Sequence, residues 1–342
     1  MGNTESKKIS QHPRTKLKKV EIYESSKKGD GEFYMKETST KAYHLFGNCH
    51  FIAIYDGFGH YGGAAAHDAS ETLMKYFNEH QDSLSENMKR NEIREFIQNG
   101  IKMVQQKLFQ EKIYYKSGTC CIGVLVLENK VFTFNIGNSR AILCTSPSVS
   151  GISSVELSKD HNLSSDTERQ RVAAKGAKIH RVKQDGKEYG IERLWINNEG
   201  PGITTTRGLG CWQISEMLSG EPEIEEYDLH PQDSFLLIGS DGLWDVVGTE
   251  EAGNLIYNAK RGKEAVENLV KEAKTRWNLK LKVEKYLVGD NPRVSDKSDD
   301  ISAIVCYLNF PNAEEMEVLE RFNFLHENKN ARLKDLKESL SK

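Results

Sequence analysis

The apolar residues of this chain fall in short runs rich in β-branched and aromatic side chains, and helices do not separate those runs one by one. FIAIYDG (51–57), TCCIGVLVLE (119–128), KVFTFNIGN (130–138), RAILCT (140–145), DSFLLIGSDG (233–242) and ISAIVCYL (301–308) read as strands bounded by turn residues. Helical periodicity appears in separate blocks, at 63–79, 91–112, 166–175 and from 250 to about 277. A doubly wound parallel sheet needs helices interleaved with its strands, so this order argues against one. It predicts an α+β sandwich: two central β-sheets with helices outside. Between Lys130 and Asn138, Val131, Thr133 and Asn135 alternate with Phe132, Phe134 and Ile136, which predicts a half-buried strand. Glu128-Asn129-Lys130 reads as the hairpin tip before it.

With 342 residues, 37% of them hydrophobic, the chain can bury a large core without staples. The body is expected over 21–310. No apolar run approaches the ~18 residues of a membrane span. A net charge of −3 argues against nucleic acid as the partner of a globally basic surface. The six cysteines include no CxxC pair, so zinc spacing is absent and buried free thiols are expected.

The two ends differ from the body. Residues 1–20 carry Lys7, Lys8, Arg14, Lys16, Lys18 and Lys19 against Glu5, with no apolar periodicity, and read as a flexible basic arm. Gly2 after the initiator Met and Ser6 at the hydroxyl position fit the myristoylation pattern. One acyl chain anchors marginally, and a polybasic segment close by makes binding to an anionic leaflet durable. The expectation is peripheral association with the cytoplasmic face of a membrane. At the other end, 311–342 is charged, and Met316, Leu319, Phe322 and Leu325 make a one-sided helical stripe.

Three acidic clusters sit at strand ends: Asp56-Gly57 after FIAIY, Asp241 to Asp245 after FLLIGS, and Asp299-Asp300 before ISAIVCY. Any one aspartate there can be a turn cap. Three converging on one sheet edge would repel each other and resist desolvation. Such clusters hold hard divalent cations such as Mg2+ or Mn2+, which take oxygen ligands.

These segments carry a resemblance. FIAIYDG resembles the strand leading into the DGHGG motif of the PP2C (PPM-type) metal-dependent protein serine/threonine phosphatases. SGTCC…NIGNSRAILC, LSKDHNLSSDTERQRVAAKGAKI, TTTRGLGCW, SFLLIGSDGLWDVVGTEEA and SDDISAIV resemble that family's blocks in the family's order, over about 30–308. The resemblance implies a four-layer sandwich, with two antiparallel sheets flanked by helices. It also implies a binuclear Mg2+ or Mn2+ centre that activates a water for in-line attack on phosphorus. Carried over by position, Asp56 would bridge the metals and the Gly57 carbonyl would be a ligand. Asp241 and Asp299 would hold the first metal, with Asp245 at a looser third position.

Around that core the sequence departs from the family pattern. Glu32 stands where a phosphate-binding Arg is expected and Lys36 where a metal-binding Glu is expected. DGHGG has become Asp56-Gly57-Phe58-Gly59-His60-Tyr61-Gly62-Gly63, so Phe58 replaces the family's His general acid. A two-residue insertion would let His60 take that catalytic place. The GDSRA and ALGD aspartates are Asn138 and Cys211. Asn donates an oxygen without charge, and Cys is too soft for Mg2+. Two functions follow from the resemblance. One is a pseudophosphatase or very weak phosphatase that binds phosphoproteins or a protein partner. The other is a working Mg2+/Mn2+-dependent phosphatase that needs only the surviving aspartates.

Overall fold

The structure, a computed structural model, describes residues 15–30, 38–146, 151–184, 186–196, 199–288, 298–311 and 315. Gly2 and Ser6, the segment 32–37 and the apolar stripe 316–325 lie outside the described residues. One sheet runs in the order β12 (Glu223–Asp228), β5 (Lys130–Ile136), β4 (Gly118–Leu127), β3 (Cys49–Phe58) and β2 (Thr38–Phe46), with β11 (Leu209–Gly210) also on β4. The second runs β1 (Lys19–Lys27), β14 (Ile301–Asn309), β13 (Asp233–Gly239), β6 (Arg140–Thr145) and β7 (Ser153–Glu156). Every pairing in both is antiparallel.

Three apolar layers hold these sheets. Ile52 and Ile54 of β3 and Ile122 and Val124 of β4 face Leu143, Leu236, Ile238 and Ile304 of the other sheet. The opposite face of the first sheet, with Phe51, Tyr55, Phe132 and Phe134, is covered by α1 (Gly62–His80) and α2 (Arg90–Gln110). Their apolar positions, such as Ala65, Ala69, Leu73 and Phe77, recur every four residues and make one buried stripe. The outer face of the second sheet is covered by α4 (Asp241–Trp244), α5 (Thr249–Asn258) and α6 (Lys263–Val288). The result is the four-layer α+β sandwich.

Two local expectations change. Strand β5 is buried on both faces, not one. Its alternation is real, but the polar side lies in the interior between the sheets and is satisfied there. Thr133 donates to the Leu157 carbonyl, and Asn135 Nδ2 donates to the carbonyls of Gly137, Ser139 and Lys159 at 3.0, 3.0 and 2.7 Å. The periodic block from 250 is two helices, because Ala259 leaves helical geometry at φ −81°, ψ 161°. A third sheet, β8 (Lys178–Gln184), β9 (Lys187–Ile196) and β10 (Glu199–Ile203), arises from a polar segment without strong alternation.

That third sheet lies beside α3 (Asp166–Ala174), which carries a buried carboxylate. Glu168 accepts from Arg207 Nη2 at 2.7 Å, Arg171 Nη2 at 2.8 Å and Thr206 Oγ1 at 2.8 Å. Burial would raise its pKa, but these donors outweigh burial and bring it down to about 2. Because the folded pKa is depressed, the stabilisation is present above the unfolded value of about 4.3 and is lost as pH falls toward about 2. Glu168→Gln is expected to cost about 3 kcal/mol at neutral pH, read by urea unfolding. The gap from wild type should close as the titration moves below pH about 4; a gap independent of pH would remove this account.

Candidate metal centre

Face-to-face packing brings the ends of β3 and β13 together, and each end delivers a carboxylate. Asp56 lies within β3, opposite Cys120 of β4. Asp241 opens α4 directly after β13. The turn is fixed from three sides: Ser240 N donates to the Ser302 carbonyl at 3.0 Å, Trp244 Nε1 to Gly239 at 2.8 Å, and Trp277 Nε1 to Gly242 at 2.7 Å. Gly242 sits so tightly on the 299–300 segment that an added Cβ would be 2.3 Å from the Asp300 carbonyl oxygen. That contact carries Asp299 to the same place. Gly57 is equally constrained, since a Cβ there would stand 2.2 Å from the Gly62 carbonyl carbon at the start of α1.

The carboxylates are crowded. Burial pushes the Asp56 carboxyl well above the usual range, and repulsion from Asp241 and Asp299 pushes it further. Burial raises Asp241 as well, against the hydrogen bonds it receives. Asp245 is exposed on the solvent side of the group, yet desolvation, then Asp241, pushes its carboxyl up to about 6. Asp300 is used differently, accepting the backbone N–H of Gly29 at 2.6 Å and of Thr38 at 3.3 Å. It is a buried cap that ties β2 to β14.

Asn138 interposes itself in the crowd. Its Nδ2 donates to Asp241 Oδ2 at 2.7 Å, and its Oδ1 accepts from the Cys120 thiol at 3.4 Å. Burial, then Asp241, pushes that thiol up to about 12, so it remains a neutral donor. The turn bearing Asn138 is braced from outside. Gly137 N donates to His161 Nδ1 at 3.1 Å, and Arg140 grips Asp160 through two bonds, at 3.1 and 2.7 Å. The KDH and NSR segments therefore serve to position the amide, which the sequence motifs alone do not reveal.

Among the described residues, no set of three or more His, Cys, Asp or Glu side chains closes into a metal-holding group. The pieces still fit a hard cation. Asp241 Oδ1 is buried without a hydrogen-bond partner, and the Asp56 carboxyl lies beside Asp241. A proton or a cation between them relieves that contact. Asp56, Asp241 and Asp299, with the Gly57 carbonyl, are the groups that would hold one.

The family profile described as Protein phosphatase 2C matches residues 29–278. The chain belongs to the protein phosphatase 2C family. Probable protein phosphatase 2C 42 of Arabidopsis thaliana is 25% identical over 291 residues, covering 76% of this chain and 72% of that one. Probable protein phosphatase 2C 34 of the same plant is 26% identical over 195 residues, 56% of this chain and 50% of the relative. The chain spans about half the length of the first curated relatives it matches. In structure it resembles the serine-threonine phosphatase 2C of Toxoplasma gondii at a TM-score of 0.65 and 15% identity, over 87% of this chain and 98% of that one. That likeness bears on the fold.

Against the protein phosphatase 2C pattern the departures have definite surroundings. Phe58, at the family's His position, packs against the apolar cluster of Leu163, Val172, Leu194, Cys211, Ile214 and Leu218. His60 is exposed in the β3–α1 loop, its ring edge-on to Tyr61 at 4.6 Å between centroids. Cys211 is buried and left-handed, with φ 49° and its N–H donating to the Ser117 carbonyl at 2.8 Å. Burial pushes its thiol up to about 12, so no thiolate is offered to a metal. All six cysteines are buried free thiols.

An amide N–H on Asp241 does part of a cation's work, so Asn138→Asp is expected to destabilise the metal-free protein and to tighten Mn2+ binding at least tenfold. Calorimetry and thermal melts with and without Mn2+ read both effects. Binding should also strengthen as pH rises, because burial raises the Asp56 and Asp241 carboxyls and their protons compete with the cation. Unchanged affinity in Asn138→Asp would sink the proposed exchange of amide for cation.

Proposed function

We propose that this chain is a protein phosphatase 2C fold with a partly eroded site. It works as a phosphoprotein-binding or regulatory subunit with very weak turnover or none. The observation that carries this reading is the Asn138 amide on Asp241. It offers a hydrogen-bond donor where the family pattern has a further carboxylate, so the site keeps its shape with less negative charge to attract cations. Phe58 in an apolar cluster and the neutral thiol of Cys211 lower the site's polarity in the same direction.

What the chain's own residues can still do is limited but definite. Asp56, Asp241 and Asp299 would hold Mg2+ or Mn2+ weakly, which would supply Lewis-acid polarisation of a phosphoryl oxygen. Burial raises both the Asp56 and Asp241 carboxyls, which favours a proton shared between them when no cation is bound. His60, exposed in the β3–α1 loop, is the side chain there that could act as a proton donor. The survival of all three aspartates favours the second reading, an active Mg2+/Mn2+-dependent phosphatase acting on phosphoserine or phosphothreonine.

Turnover of p-nitrophenyl phosphate with Mn2+ separates the two. Wild type is expected to be barely active, and Glu32→Arg with Lys36→Glu is expected to raise activity at least tenfold, or ~1.4 kcal/mol of barrier. Asp56→Asn in that background should abolish the gain. Wild-type turnover of several per second would establish the active reading instead.

We also propose attachment to the cytoplasmic face of a membrane, supported by the Gly2/Ser6 pattern with Lys7, Lys8 and Arg14 beside it. The flexible arm expected over 1–20 is shorter than that, because Leu17 is buried, Lys19 opens β1, and Lys16, Lys18 and Lys19 pair with Glu86, Glu315 and Glu21. No helix among the described residues is long and apolar enough to cross a membrane. Gly2→Ala is expected to move the protein to the soluble fraction; equal partitioning of the two forms would overturn this.

A further inference from the structure

A group of exposed apolar side chains surrounds Ser117, at the end of the strands that carry the acidic centre. Ser117 accepts the Cys211 N–H on its carbonyl at 2.8 Å and the Tyr61 N–H on its Oγ at 3.0 Å. It therefore gathers the β3–α1 loop, the 3-10 turn Lys112–Lys116 and the 3-10 turn Trp212–Ile214. Ile113 is 48% exposed, Tyr61 44%, Tyr115 40% and Trp212 37%. The Tyr115 and Trp212 rings meet edge-on, 4.4 Å apart at their centroids. Large apolar side chains left in water beside one another mark recognition surfaces.

Charge says what the surface receives. Lys112 and Lys116 are exposed and flank Ile113 and Tyr115. Neither has a salt-bridge partner among the described residues, while the adjacent Glu111 is taken by Lys107 at 2.9 Å. Asp68 on α1 is half-buried and accepts from the Tyr114 hydroxyl at 2.8 Å, and Glu216 lies just past the second turn, so Lys112 and Lys116 are the exposed charges that flank the rings. A lysine pair around aromatic rings complements carboxylates spaced about an apolar side chain.

We propose that this surface docks an acidic segment of a phosphoprotein, with one apolar side chain on the Tyr115–Trp212 pair and carboxylates on Lys112 and Lys116. The proposal rests on the phosphoprotein-binding reading and adds a determinant to it. Ser117 stands three residues from Cys120, which pairs with Asp56. At ~3.3 Å per strand residue that is roughly 10 Å, or about three residues of an extended peptide. The acidic-apolar determinant therefore lies about three residues from the phosphorylated one.

Fluorescence anisotropy with the full chain tests this. The probe is a fluorescein-labelled, unphosphorylated decapeptide of Asp and Glu around one central Leu. It should bind at least tenfold more tightly than the same peptide with Lys for its acids, and the preference should fade as salt is raised. Lys112→Glu with Lys116→Glu, and separately Tyr115→Ala with Trp212→Ala, should each cost at least tenfold while circular dichroism stays native. Equal affinity for the acidic and basic peptides, or wild-type binding by both folded double variants, overturns the proposal. Docking of the acidic peptide by a protein that binds no Mn2+ supports it while removing the metal-centre reading.

Discussion

Two sheets packed face to face put the ends of β3 and β13 side by side, and the chemistry at the centre follows from the charges those ends carry. The isoleucines and leucines between the sheets hold the strands in register. Asp56 and Asp241 cannot move apart without breaking that layer. Two carboxylates so confined need something between them: a proton, a cation or a donor. Here the Asn138 amide supplies a donor to Asp241, and burial raises both carboxyls, which favours their protonated forms. The tightly bound turn after β13, with two tryptophan N–H groups on its carbonyls, is the scaffold that sustains this unfavourable meeting.

Much of this was legible in the residues. Strands β3, β4, β6, β13 and β14 are apolar runs because both of their faces are covered, so they announce themselves whatever the period. The helices on the outer layers show their stripes for the opposite reason, having one wet face. Strand β5 misleads because Thr133 and Asn135 look solvated. They are buried, and their bonds go to carbonyls distant in sequence, which no local pattern reports. The third sheet escapes notice because its segment is polar and lacks alternation.

At the site, motif order places Asp56, Asp241 and Asp299 at strand ends, and the fold brings them together. The status of Asn138 was not legible as a bond. Position alone says that a carboxylate has been lost; geometry adds that the replacement donates to Asp241 and accepts from Cys120. Asp300 is the converse case. Next to Asp299 in sequence, it looks like part of the acidic centre, yet it is spent on the backbone amides of Gly29 and Thr38.

The left-handed backbone at Cys211 has a consequence for how such a site changes over time. Asp and Asn tolerate that conformation better than most residues, and cysteine gains nothing from it. The neighbouring bond to Ser117 imposes the conformation regardless of which side chain the position bears. Shape and chemistry are thus under separate control in this loop. A side chain can therefore be exchanged at this position without reshaping the path of the chain.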